Sequence, residues 1–305
     1  MKHTTSQKYV CTTVQEVNTA TDRLSKAHEV KLQLIDGGIT KEINNFKGIY
    51  NSTLGEFCAA VSNRYNVISH KEYFDCFGEA MNRLNIKFNM TVKEQGNQAF
   101  ADIEFIGRNI KFDKLNEEFI TGIRLSNSYN RTQGLGVAPR FTRLACTNGM
   151  ILTHSEKTFS IRHHSKMAKE IESFVEIRLN DIINKDELLQ NWVSQSMVDS
   201  VEWETVTKIL PKLFSQAKHR EEILKRLGVS VIEKKKGHKV IGYSYVLETD
   251  KESKIDRWKL YNSITEYLSH GEHITPLLEN SLHKQAEKVL TTSFKRLPRM
   301  IEVTI

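Results

Sequence analysis

Residues 86–93 alternate without a break: Ile86, Phe88, Met90 and Val92 are apolar, while Lys87, Asn89, Thr91 and Lys93 are polar. A period of two over eight residues predicts a strand with one buried and one wet face. Glu94–Gln98, with Gly96 at its centre, reads as a hairpin turn, and Ala101, Ile103 and Phe105 return on the same face, opposite Asp102 and Glu104. Immediately upstream, Tyr73, Phe74, Phe77, Met81 and Leu84 fall on one side of a helix over Lys71–Leu84, which Ser69 is placed to cap. A helix feeding an antiparallel meander is therefore the seed of the fold.

Further strands are expected at Ile49–Tyr50, Cys58–Val61, Tyr65–Ile68, Phe119–Tyr129, Phe141–Cys146 and Phe159–His163. Beyond residue 165 the period changes. Helices are expected over Lys166–Asn184, Leu188–Val198 (capped by Asp186), Trp203–Ala217 (broken or kinked at Pro211), His219–Leu227 (stopped at Gly228), Lys254–Leu268 and Pro276–Leu290. Met300–Ile305 reads as an edge strand and residues 229–244 as a basic loop. Strands in a run followed by helices in a run predict an α+β fold: an antiparallel β-meander with a preceding helix, then a mostly helical C-terminal half. The expected organisation is an N-terminal arm (1–45, with a short helix or ordered segment within Thr13–His28), an α+β core (46–165) and a helical region (166–305) packed on that core.

The four cysteines of this 305-residue chain show no CxxC spacing, which excludes zinc-ribbon and thioredoxin-like frameworks and points to reduced thiols in a cytoplasm. No apolar run approaches the length of a membrane span, and the N-terminus lacks the apolar segment of a signal peptide. The net charge is +7. Residues 206–239 alone hold ten Lys or Arg against three Glu, so the basic excess is local. Lys208, Lys212, Lys218, Arg220, Lys225 and Arg226 fall on helices, and Lys234, Lys235, Lys236 and Lys239 on the loop. Flexible ammonium groups in that arrangement suit a phosphate backbone; the plainer reading is a solvated face.

A second concentration of chemistry lies in residues 123–148, where four arginines and two glycines accompany polar side chains. Arg124, Asn127, Tyr129, Asn130, Arg131, Arg140 and Arg143 are candidates to meet phosphates, sugars or base edges, with Tyr129 able to stack on an unpaired base. The alternative is a hairpin whose polar groups satisfy their own backbone. Gly134-Leu-Gly136 is not a dinucleotide fingerprint and no Walker lysine follows, so no nucleotide cofactor is expected. Arg162 and His163 are candidate phosphate contacts. Adjacent His163 and His164 on a strand point to opposite faces, and no histidine set has metal spacing. Asp102 with Glu104 is the nearest approach to a metal-binding carboxylate pair, though such pairs are common on solvated strands. Cys146 reads as a core thiol rather than a nucleophile.

Four stretches carry a family resemblance: Val61-Ser-Asn-Arg-Tyr-Asn-Val-Ile-Ser69, Arg143-Leu-Ala-Cys-Thr-Asn-Gly149, Phe159-Ser-Ile-Arg-His163 and Leu260-Tyr-Asn-Ser-Ile-Thr-Glu-Tyr-Leu-Ser-His270. In this order they resemble the phage/plasmid-like family catalogued as domain of unknown function 932, from about Tyr50 to His270. The resemblance implies a mobile-element setting and no particular reaction. The order helix, meander, helix is also similar to the core of single-strand annealing proteins such as RecT, Red-beta and the ERF group, a likeness of fold alone. The expectation is a cytoplasmic, non-enzymatic DNA-binding protein, acting on single-stranded rather than double-stranded DNA, able to promote annealing or recombination and to form a homo-oligomer. The alternatives are a metal-dependent nuclease or phosphotransferase, and a host-interaction protein.

Overall fold

The alternation of residues 86–93 builds the second strand of a seven-stranded sheet. The computed structural model describes residues 7–36, 39–112, 117–143, 149–151, 159–161, 173, 175–177, 186–236, 239–247, 254–271 and 274–297. The chain forms two units: residues 1–142, 151–184 and 275–277, and residues 143–150, 185–274 and 278–305.

In the first unit β1 (Gln7–Cys11), β5 (Phe88–Gln95), β6 (Gln98–Phe112), β7 (Glu117–Ser128), β8 (Leu135–Arg143, whose last residue falls to the other unit) and β10 (Phe159–Ile161) lie side by side in that order, and the short β9 (Gly149–Ile151, whose first two residues fall to the other unit) pairs with β8. The β5–β6, β6–β7, β1–β5 and β8–β10 pairs are antiparallel. Their apolar positions, among them Met90, Val92, Ile103, Ile123, Leu125 and Val137, are buried under two helices. Helix α1 (Val14–Thr21) begins in a capping box between Thr13 and Glu16. Helix α2 (His70–Arg83) begins where the Ser69 hydroxyl accepts the Glu72 amide. Tyr73, Phe74, Phe77 and Met81 on α2 are completely buried, each contributing about 1.5–3 kcal/mol. The Tyr73 hydroxyl donates to the Gly136 carbonyl, 3.0 Å away, tying the helix to β8.

A second, three-stranded sheet in this unit, β2 (Ala27–Asp36), β3 (Ile39–Asn51) and β4 (Glu56–Ser62), runs in sequence order. The polar arm expected over residues 1–45 is thus β1, α1, β2 and much of β3. Residues 65–68, expected as a strand, join no ladder. Tyr65 and Val67 instead pack against Ile49, Val61 and Tyr129.

The second unit contains α3 (Asp186–Val198), α4 (Trp203–Leu213), α5 (Ala217–Arg226), α6 (Arg257–His270) and α7 (Pro276–Thr291, whose first two residues fall to the other unit). Pro211 sits two residues before the end of α4, and a new helix starts at Ala217, so the expected break falls after Leu213. Strands β11 (Ser200–Glu202) and β14 (Lys254–Asp256) pair antiparallel, and Arg257 at the start of α6 binds Asp199 at 2.7 Å and the carbonyls of Val289, Leu290 and Thr292. The segment expected as a basic loop is a β-hairpin, β12 (Val229–Lys236) and β13 (Lys239–Leu247). The architecture is α+β, with antiparallel sheets. Cys146, Arg162, His163, most of the helix expected over 166–184 and the strand expected over 300–305 lie outside the described residues.

Candidate nucleic-acid interface

Strand β7 and the turn after it carry five of the candidates, and the fold decides which face each one takes. In register, Asp102 on β6 stands opposite Arg124 on β7. The guanidinium closes on the carboxylate through two hydrogen bonds, Nε to Oδ1 at 2.5 Å and Nη2 to Oδ2 at 2.7 Å. Both residues are buried. Lys93, one strand over on β5, reaches Asp102 at 3.0 Å, and Arg140 on β8 donates to Glu104 at 2.8 Å and to the Thr142 hydroxyl. Burial pushes the Asp102 carboxyl up, but Arg124, Lys93 and Arg140 together outweigh it and hold the group well below the usual carboxylate range. Cross-strand charges of opposite sign are the sheet's own way of burying a polar face. The pair Asp102 and Glu104 is therefore committed to arginine and lysine. Among the described residues no group of three His, Cys, Asp or Glu is arranged to hold a metal ion.

Arg124, Asn127 and Tyr129, candidates to meet phosphates, sugars or base edges, are instead buried in the unit's interior. Asn127 is fully buried and donates its amide to the Ile68 carbonyl at 3.1 Å. Tyr129, 1% exposed, accepts the His70 backbone amide at 3.0 Å and donates to the Ser25 carbonyl at 3.1 Å. Its ring stacks on His70 with centroids 3.9 Å apart, leaving no face for a base. Beside it, burial raises the Glu94 carboxyl above its ordinary value, opposed by the Ser25 hydroxyl and amide that bind it. This cluster of Ser25, His70, Glu94 and Tyr129 joins elements far apart in sequence, which is why no local pattern reveals it. The turn that follows is self-satisfied: Asn130 accepts from the Thr132 amide and hydroxyl, and Arg131 adopts a left-handed conformation and donates to the Ala60 carbonyl of β4. Arg131 is exposed, Asn130 and Arg140 are half-buried, and Arg143 ends β8.

The basic candidates of the second unit are differently placed. Lys234, Lys235 and Lys236 end β12 and Lys239 begins β13, in a two-stranded sheet with no third strand among the described residues. Lys236 and Lys239 are direct cross-strand partners, and the register shifts between Lys234 and Lys235. Residues 234–247 contain no Asp or Glu. Like charges directly opposite each other in a ladder are destabilising. Helix α5, leading into β12 through Gly228 at φ +77°, presents exposed Lys218 and Lys225, the latter 2.9 Å from Glu222. Exposed Lys208 and Lys212 lie on α4.

The family described as a domain of unknown function (DUF932) matches residues 58–298, about four fifths of the chain. The chain belongs to that family. The DUF932 match starts inside β4 and runs through α7, so it includes β5 to β8, the basic hairpin and helices α2 to α7, and leaves β1, α1, β2 and β3 before it. No curated protein and no solved structure matches the chain. No helix among the described residues is long and apolar enough to cross a membrane.

Proposed function

We propose that this DUF932 protein binds nucleic acid by its phosphate backbone, with the β12–β13 ribbon as the grip and the exposed lysines of α4 and α5 as secondary contacts. The observation that carries the reading is the lysine-on-lysine register at the end of a ribbon free of acid from Lys234 to Leu247. Four lysines on one hairpin, two of them in direct register, suit a polyanion, because ammonium groups that neutralise phosphates release the counterions condensed on the nucleic acid. The burial of Tyr129 removes the base-stacking argument for single strands, so the reading rests on the backbone common to single- and double-stranded DNA. Binding without covalent chemistry, as in annealing or protection of a mobile element's DNA, needs only this charge neutralisation. A metal-dependent nuclease is the weaker reading, because Asp102 and Glu104 are tied to arginine.

Fluorescence anisotropy of labelled single- and double-stranded oligonucleotides, between about 50 and about 200 mM salt, tests it. Replacing Lys234, Lys235 and Lys236 together by Ala is expected to weaken binding and to lower the slope of log K against log salt by roughly two to three. An unchanged slope removes the ribbon from the interface, and no binding of either form at the lower salt ends the reading.

A further inference from the structure

The three-stranded sheet of the first unit is built as though part of it were missing. Every described residue from Gln33 to Phe46 is exposed, on both faces of the β2–β3 ribbon. Among them Ile35 and Ile39 are 74% and 73% exposed, with Leu34 and Phe46 more than half exposed. Strand β4 supports β3 only over Phe46–Asn51, so the outer part of the ribbon has two strands. Two strands wet on both faces are marginal on their own. Strand β2 is the edge of this sheet along its whole length; it carries no proline, and the features on it that blunt an edge are Lys31 and the register shift between Lys31 and Gln33.

Charge selects the occupant. Residues 27–47 hold Lys31, Lys41 and Lys47 against Glu29, Asp36 and Glu42, a net charge of zero in a chain of +7. A neutral patch has little to offer a polyanion, yet it is where two copies of a basic protein can meet without repulsion. Geometry selects the strand. Val30, Leu32 and Phe57 crowd the same side of Gly48, so one face of the sheet is an apolar stripe, which Leu34 extends along β2.

We propose that β2 is a self-pairing edge: two copies join β2 to β2 antiparallel about a two-fold axis. A two-fold normal to the sheet requires a residue to meet itself. Centred on Gln33, the pairing sets Leu32 of each copy opposite Leu34 of the other and Lys31 opposite Ile35. The Val30–Leu32–Leu34 stripe then runs across the axis into one continuous six-stranded sheet. The contact is isologous and closes at two copies. It uses chain that precedes the DUF932 match and is independent of the nucleic-acid reading.

Sedimentation velocity on the full chain, over micromolar concentrations, is expected to show a dimer. Leu34→Lys places two ammonium groups beside the axis and is expected to give a monomer with an unchanged far-ultraviolet circular dichroism spectrum, since the site is exposed in the single chain. Gln33→Cys is expected to form a disulfide-linked dimer under mild oxidation, whereas a cysteine at exposed Thr53 on the β3–β4 turn is not. A monomeric wild type overturns the proposal. So does a dimer that survives Leu34→Lys without Gln33 cross-linking, or a Leu34→Lys protein that keeps its oligomeric state but loses DNA binding, which would make nucleic acid the occupant.

Discussion

Arg124 and Asp102 satisfy one another inside the sheet, and that pairing explains why a residue rich in nucleic-acid chemistry is unavailable for it. Breaking a buried pair from one side leaves an uncompensated charge, at a cost of about 3–5 kcal/mol, while replacing both partners by apolar groups is often close to neutral. Arg124→Met is therefore expected to lower the urea midpoint sharply, and Arg124→Met with Asp102→Leu to recover much of the loss. If the double variant is no more stable than the single one, Lys93 and Arg140, which also face Asp102, carry more of the balance than Arg124. The pairing was half legible in the sequence. Alternation put Asp102 and Glu104 on one face of their strand, but which charge on β7 stood opposite depended on a register that a bulge resets. The contacts of Tyr129 with His70 and Ser25 span 59 and 104 residues, beyond the reach of any local pattern.

At the scale of elements, the periodic signal was strong where one face is buried and the other wet, and vanished elsewhere. The α2 face and the β5–β6 hairpin were readable for that reason. Strand β2 alternates only briefly, at Val30, Leu32 and Leu34, and Gln33–Asp36 with the outer part of β3 is exposed on both faces, so this stretch reads as a polar arm. The β12–β13 hairpin read as a loop because a run of lysine masks its strand period. The bulge that sets the β6–β7 register lies between Glu104 and Asn109, with Gly107 at φ +79°. Gly122 stands opposite Glu104 at that bulge, and a Cβ there would collide with the Ile103 carbonyl oxygen. The obstacle is backbone and cannot rotate away. Gly122→Ala is expected to destabilise the first unit by more than the ~1 kcal/mol typical of a substitution, measured as a loss in the urea midpoint of the strand circular dichroism signal. A midpoint within error of wild type would mean that the bulge relaxes without penalty.

For the whole molecule, the two units answer to different titrating groups, and the sequence supplies a way to watch one of them alone. All three tryptophans, Trp192, Trp203 and Trp258, belong to the second unit. In that unit His219 is buried and its Nδ1 lies 2.6 Å from the Tyr267 hydroxyl. Burial, helped by the charge of Lys218, lowers its pKa below the ordinary 6.5. The folded protein thus binds this proton less readily than the unfolded chain. The contribution to stability is whole above pH 6.5 and declines as the pH falls from there towards the lowered folded value, below which it levels off. Asp102, held well below 3.8 by Arg124, Lys93 and Arg140 against its burial, works in another window: its contribution is present above 3.8 and lost only as the pH falls through its depressed value. Urea titrations followed by tryptophan emission are therefore expected to give a lower midpoint at about pH 5.5 than at about pH 7.5. His219→Gln, which keeps a polar group near Tyr267 but cannot take up the proton, is expected to flatten that difference. Should the variant keep the wild-type slope with pH, the acid sensitivity of the second unit would belong to another group, and the His219–Tyr267 contact would be one of packing alone.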